Sequence, residues 1–283
     1  MRELNFFGPS PLLYLVATPI GNMEEMTPRA VSILKETDFV AAEDTRNSGA
    51  LLKKLGIDKP FISCHEHNEE AASKKIVSLL LSGKKVAYMS DAGYPGISDP
   101  GSRLVANCLD NGIKVSTISG PNAALNALSA SGLDSTHFYF HGFLDAKESE
   151  KEKEIKEISH RKETIILYES PHRIKKTLES LFRLLGERKA VIARELTKAH
   201  EEYIRGPLSE LCELEESSLK GEMVIVIEGN KSKAEVSDED IAKTLQNLIE
   251  EGNLSGTEAV KEAAKTLQIG KNRVYRVFLS LKS

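Results

Sequence analysis

Apolar and polar positions follow two periods along the first half of the chain. Short apolar runs at Leu12 to Ala17, Phe39 to Ala42, Phe61 to Cys64, Val86 to Met89 and Val115 to Ile118 have the length of buried strands. Between them, apolar residues recur at helical spacing. Ala30, Ile33 and Leu34 lie behind Thr27-Pro28, an N-cap followed by proline at the first helical position. The spacing predicts further helices over Ser48 to Leu55 (stopped by Gly56), around Ala71 to Leu81, and over Gly101 to Asn111 (ended by Gly112). Strands alternating with helices form βαβ units, so the first half reads as a mostly parallel sheet.

A second series starts after Gly132. His137 to Phe143 alternates aromatic and small residues, and a charged helix is predicted over Lys147 to Ser159. Thr164 to Tyr168, Ala190 to Ala193 and Met223 to Ile227 read as strands, and Glu202 to Arg205 as a weaker one. Some of these pair antiparallel in the expected arrangement, a mixed sheet. Residues 230 to 240 are polar and read as a linker, followed by helical patterns at Asp238 to Glu251, Thr257 to Leu267 and Lys271 to Leu281. The expected organisation is 1–122, an α/β domain with a mostly parallel sheet; 123–232, a second α/β domain; and 233–283, a small basic helical domain.

Composition narrows the class. Hydrophobic content of 40% and charged content of 28% belong to a globular protein, and no apolar run reaches about 18 residues, which argues against a membrane span. The opening MRELNFFGPSP lacks the pattern of a secretory leader. Cys64, Cys108 and Cys212 are odd in number and far apart, which suits a reducing cytoplasm and neither disulfides nor zinc. Net charge is −4, so any nucleic-acid contact has to be local.

Four loops that follow strands have a ligand-binding composition: Thr18 to Asn22, Glu43 to Arg46, Ser90 to Gly101 (SDAGYPGISDPG) and Ser119 to Ala123. Glycine admits close backbone approach, proline fixes the path, and open α/β sheets bind ligands at strand carboxyl ends. The dinucleotide G-x-G pattern, the P-loop and the G-x-S-x-G elbow are all absent from the sequence.

In order, LYLVATPIGN, AAEDTR, HEHNE, SDAGYPGISDPG, SGPNAALNALSASGL, LYESPHR, ARELTKAHEE and KGEMVIVIEG resemble the motifs of the ribosomal RNA small subunit methyltransferase I family, which is similar to the tetrapyrrole methylases. The likeness runs from about Leu13 to Gly229, and the basic terminal helices resemble the family's small terminal domain. It implies a two-domain α/β fold of the class III S-adenosylmethionine methyltransferases, with the cofactor in a cleft between the domains. The implied activity is 2′-O-methylation of a cytidine in 16S rRNA of the small ribosomal subunit, by a homodimer and without a metal. Residues 90 to 101 would wrap the cofactor through Ala92, Gly93, Tyr94 and Ile97. Pro19, Asn122, Ala123, Glu169 and Leu196 align with other cofactor-contacting positions. Asp91 acts on the sulfonium or caps an Asx-turn. The family usually has Thr at Tyr94 and Leu at Ser119.

Methyl transfer to a hydroxyl needs collinear oxygen, carbon and sulfur, and a group that takes the proton. Glu43, Asp44 and Arg46 form one candidate catalytic cluster; Arg194, Glu195 and Lys198 form another, and each can equally be a structural ion network. His65 and His67, at i, i+2 spacing without a third ligand, suit substrate contact better than metal. Ser170 to Arg205 holds nine Lys/Arg against five Asp/Glu, and Asn253 to Ser283 six against two. With RNA implied, Arg173, Lys175, Lys176, Lys271, Arg273 and Arg276 become phosphate contacts. Tyr275 and Phe278, three apart, are expected in the core. The alternatives are a carbon-methylating tetrapyrrole enzyme and a non-catalytic ribosome-binding factor.

Overall fold

The computed structural model describes residues 12–231, 237–250, 254–267 and 269–281. Two compact units divide the chain, the first ending at Asn230.

Five strands form the first sheet: β1 (Leu12–Val16), β2 (Phe39–Ala42), β3 (Phe61–Ser63), β4 (Val86–Met89) and β5 (Lys114–Ile118). All pair parallel, in the order β3-β2-β4-β1-β5. Four helices connect them: α1 (Pro28–Glu36), α2 (Thr45–Lys54), α3 (Glu69–Leu81) and α4 (Ser102–Asp110). Ala30, Leu34 and Leu52 of α1 and α2 cover one face, and Ile76, Leu80, Leu104 and Cys108 of α3 and α4 the other. A sheet buried on both faces requires strands without polar alternation, which is why β4 is buried along its whole length. Thr27 caps α1 by accepting from the Ala30 amide, with Pro28 at the first helical position.

α2 begins three residues earlier than the spacing predicts. Asp44 is its N-cap, accepting from the Arg46 amide, so AAEDTR is a helix start as well as a loop.

α5 (Ala123–Ser131), capped by Asn122 and closed by left-handed Gly132, leads into the second sheet. Its strands are β6 (Phe138–Phe143), β7 (Thr164–Glu169), β8 (Lys189–Arg194), β9 (Glu202–Pro207) and β10 (Met223–Ile227), ordered β6-β7-β10-β8-β9. β6 runs parallel to β7 and the other pairs are antiparallel, a mixed sheet as expected. α5 packs on one face through Ala124, Ala127 and Leu128. On the other lie α6 (Glu148–Ile158), α7 (Ile174–Leu185) and the short α8 (Leu208–Leu211).

The second unit contains α9 (Asp238–Glu250), α10 (Gly256–Thr266) and α11 (Lys271–Ser280), closed around Ile241, Leu245, Val260, Val274 and Phe278. Ser255 and Glu258 form a reciprocal capping box on α10. Phe278 is buried as expected, but Tyr275 is 48% exposed on the outer side of α11, outside the core. Part of the expected linker, 232–236, lies outside the described residues. Among the described residues no helix is long and apolar enough to cross a membrane.

Candidate active site

The loop after β4 is held at both ends. At its start, Thr18 and Gly93 exchange backbone hydrogen bonds of 2.9 and 3.0 Å, clamping it to the loop after β1. At its end, the buried Tyr88 hydroxyl donates to the Pro100 carbonyl at 2.9 Å. The carboxylate of Glu69 accepts from the amides of Gly101, Arg103 and Leu104, satisfying donors that open α4. Tyr94 accepts from the Gly120 amide at 3.1 Å through its hydroxyl and so couples this loop to the one after β5. The stretch 90–101 is therefore fixed by four neighbouring elements.

Opposite it, the turn after β8 carries two non-glycine residues with left-handed backbone, Glu195 (φ 51°) and Thr197 (φ 67°). This conformation is costly for L-residues, and between them Leu196 is turned inward. Here the two lobes meet closely: a Cβ on Gly21 would lie 2.6 Å from Lys198 Cγ and 2.9 Å from Thr197 Oγ1. Glycine at 21 permits that approach.

Between the lobes is a cavity of about 400 Å³, within the ~300–1,000 Å³ range of small-molecule and cofactor sites. Ala92, Gly93, Tyr94 and Ile97 line it from the first lobe, Asn122 and Ala123 from the start of α5, Glu169 from the end of β7 and Leu196 from the turn after β8. Pro19 and Asp91, expected at the same ligand, are not on the wall. Ile20 lines it in place of Pro19. Asp91 instead accepts from Asn47 Nδ2 at 2.8 Å and from the Asp44 amide at 3.4 Å, which binds it to the start of α2.

The sequence reading also missed lining residues. Asp99, Phe143, Tyr168, Ser170, Pro171 and Glu222 are among them, beside Ser98, Ala193, Met223 and Val224. Asp99 stands in the quoted loop eight positions beyond Asp91, and its composition alone marks both aspartates equally. Burial, and then the charges of Glu43 and Asp91, push its carboxyl up to about 6 against the pull of the Ser90 hydroxyl. Glu43 is raised for the same reasons, burial first and Asp91 next, with His65 partly offsetting.

Asp44 and Arg46 pair with each other. Arg46 Nε and Nη2 donate to the two Asp44 oxygens at 3.0 and 2.7 Å. These bonds hold the Asp44 carboxyl down at about 2, so it is a poor proton acceptor near neutral pH. In the other cluster, Lys198 Nζ donates to Glu195 at 2.9 Å and to Glu222 at 3.0 Å. Burial draws the Lys198 ammonium down, but its bonds to Glu195 and Glu222 outweigh this and hold it up. The Lys198 hydrogen bond keeps Glu195 below the usual carboxylate range. Arg194 donates to Glu202 at 2.5 Å.

Two of the expected phosphate contacts are spent inside the protein. Lys175 donates to the carbonyls of Cys212 and Leu214, beyond the end of α8. Arg173 donates to the Leu144 and Asp145 carbonyls and lies 3.4 Å from Glu169. Arg273 of α11 bonds Asp238 of α9 at 3.1 Å. Lys176, Lys271 and Arg276 point to solvent. His65 and His67 follow β3 with ring centroids 6.0 Å apart. Among the described residues no group of three or more His, Cys, Asp or Glu is arranged to hold a metal.

Residues 12–212 match the family described as Tetrapyrrole (Corrin/Porphyrin) Methylases. A protein of Bacillus subtilis (strain 168) named ribosomal RNA small subunit methyltransferase I is 43% identical, over 98% of both chains. A Streptococcus pyogenes protein of the same name is 44% identical over 96% of both. The crystal structure of a uroporphyrin-III-C-methyltransferase from Thermus thermophilus superposes with a TM-score of 0.56, at 21% identity, covering 77% of this chain and 94% of that one. That likeness supports the fold. The family match and the near full-length identity support the lineage: the chain belongs to the tetrapyrrole methylase family and, within it, to the ribosomal RNA small subunit methyltransferase I group.

Proposed function

We propose that this chain transfers the methyl group of S-adenosylmethionine to the ribose 2′-oxygen of a cytidine in 16S rRNA of the small ribosomal subunit, working as a cytoplasmic homodimer. The observation that carries this is the coincidence of two facts. Eight of the ten positions expected at the cofactor, all but Pro19 and Asp91, line one cavity. The relatives that share the chain nearly end to end are named rRNA methyltransferases.

The cavity fits such a cofactor. Its walls combine polar positions such as Asn122 and Glu169 with apolar surface from Ile20, Leu196, Met223 and Val224, which suits a molecule with a flat adenine ring and a polar amino-acid end. S-adenosylmethionine supplies a methyl already activated on sulfonium. The protein's work is then to align the acceptor oxygen and remove its proton. Asp99, on the wall and holding a proton only up to about pH 6, is the residue we assign to that removal, with Glu43 behind it. Near neutral pH it is ionised and able to accept. The Glu195–Lys198–Glu222 network positions the turn that carries Leu196.

The test offers labelled S-adenosylmethionine with small subunits, naked 16S rRNA and a tetrapyrrole in parallel, followed by nucleoside analysis. Label on ribose of the subunit RNA is expected. Label on a base, or on the tetrapyrrole alone, would overturn the reading. Sedimentation at micromolar concentration tests the homodimer, and a monomer alone would remove it.

A further inference from the structure

Strand alternation should send Tyr139, His141 and Phe143 of β6 to one face of the second sheet and Phe140 to the other. The pairing with β7 breaks that rule. Phe140 pairs Ile166, but Gly142 pairs Leu167 and Phe143 pairs Tyr168, so His141 is an extra residue. This is a β-bulge, the device by which strands re-aim side chains beside functional sites. Gly142 accommodates it with a left-handed φ of 83°. The bulge packs close to the loop after β4, where a Cβ on Gly142 would come within 2.8 Å of Ser98 Oγ.

The bulge moves Phe143 from the α6 face to the cavity face. Tyr139 and His141 stay on the α6 side, where His141 Nε2 lies 3.7 Å from Glu154. Phe143 lands against Tyr168, ring centroids 5.6 Å apart at 64°, and Tyr168 meets Phe140 at 5.0 Å and 71°. Edge-to-face packing of this kind fixes ring orientation. Yet Phe143 remains 53% exposed while lining the cavity, as does Ile97 at 47% on the facing loop. The interior of the cavity is made by buried residues such as Gly93, Leu196 and Val224. The two open apolar side chains therefore mark its rim.

We propose that Phe143 is the stacking platform for the nucleobase of the methylated nucleotide, with Tyr168 as its rigid backing. Proteins that recognise single-stranded RNA take up its splayed-out bases by stacking them on aromatic side chains, and a fixed ring open to solvent at the rim is the surface such a base would cover. The inference rests on the RNA reading above. An aromatic ring in this place would hold the ribose over the interior, where the methyl donor is expected, without reading base identity by hydrogen bonds.

The experiment compares wild type, Phe143→Ala and Phe143→Tyr with small subunits as substrate, and measures S-adenosylmethionine affinity by calorimetry. Phe143→Ala is expected to raise KM for the RNA substrate roughly 5- to 150-fold, the equivalent of the ~1–3 kcal/mol seen per stacked base. Cofactor affinity should stay within about twofold, and Phe143→Tyr should restore most of the loss. A synthetic RNA lacking the base at the methylated nucleotide should bind wild type more weakly than intact RNA, and bind Phe143→Ala equally in both forms. An unchanged KM in Phe143→Ala overturns the inference, as does a loss confined to cofactor affinity or a base-removal penalty that persists in the variant. Should wild type label no RNA, the functional reading fails first, and that outcome is separate from these.

Discussion

At the ends of β2 and β4, Glu43, Asp91 and Asp99 crowd like charges into one neighbourhood, and burial with mutual repulsion raises both Glu43 and Asp99. At the end of β8 the carboxylates of Glu195 and Glu222 share the ammonium of Lys198, and Glu195 is lowered. Both groups reach the cavity, through Asp99 on one side and Glu222 on the other. A carboxylate neutralised by a neighbouring cation is stable but a weak base, whereas one crowded by like charge binds a proton more tightly. The contrast separates residues able to do proton chemistry from residues that hold a loop, although Glu43 and Glu195 are marked alike by the sequence as candidate catalytic residues.

Asp99→Asn should break the comparison most strongly. It keeps size and hydrogen bonding but cannot accept a proton, so kcat is expected to fall by roughly 10²-fold or more, the lower range for general base catalysis. KM and cofactor affinity should change little. A kcat within threefold of wild type would remove Asp99 from the chemistry.

The pH profile sharpens the same point. If Asp99 accepts the proton, kcat/KM of the wild type should fall on acidification through about pH 6, and Asp99→Asn should lose that limb. Stability has the sign set by a raised pKa. The contribution of protonated Asp99 is fully present below its unfolded value near 3.9 and is lost as pH rises through about 6. Asp99→Asn should therefore gain stability relative to wild type above pH 6 and lose that advantage below about 4. Melting curves across this window check it.

Lys198→Met addresses the second cluster. If Lys198 holds a loop, kcat should drop less than tenfold, and Tm should fall by a few degrees, as expected for loss of a partly exposed ion pair. Glu195 has a lowered pKa, so the stability it gains from Lys198 is present above its unfolded value and is lost as pH falls through the folded one. The difference in Tm between wild type and variant should accordingly vanish in acid. A hundredfold loss of kcat would instead assign Lys198 a catalytic role.

Much of the fold was legible because βαβ alternation writes itself as period. The parallel sheet, the mixed second sheet and the loops after β1, β4 and β5 follow from apolar runs ended by glycine and proline. The cavity wall was legible where backbone forms it, at Ala92, Gly93 and Asn122. It was hidden where a single residue changes direction. Which of Asp91 and Asp99 turns inward depends on the loop's internal hydrogen bonds, such as Gly96 to Pro100, and on left-handed Ser98. Phe143 depends on a bulge that alternation cannot foresee. The basic run at Arg173 and Lys175 misled for a different reason: a cation's charge is in the sequence, but the carbonyls of Leu144, Cys212 and Leu214 that occupy it come from distant segments.

The smallest expected effect belongs to Arg46. Its side chain is 89% exposed and its fork is closed on Asp44, the cap of α2. The N-cap bond is made by the Arg46 amide and does not need the guanidinium. Arg46→Ala should thus leave the helix start intact and move Tm by about 1 °C or less, as exposed pairs usually do. If Arg46 also grips an RNA phosphate, affinity for the small subunit should weaken modestly, and the slope of log K against log salt should become shallower by about one. An unchanged slope would leave Arg46 as the partner of Asp44 alone. The proton chemistry at this end of the cavity would then rest on Asp99 and Glu43, because the Asp44 carboxyl, held down at about 2 by its bonds to Arg46, is a poor proton acceptor.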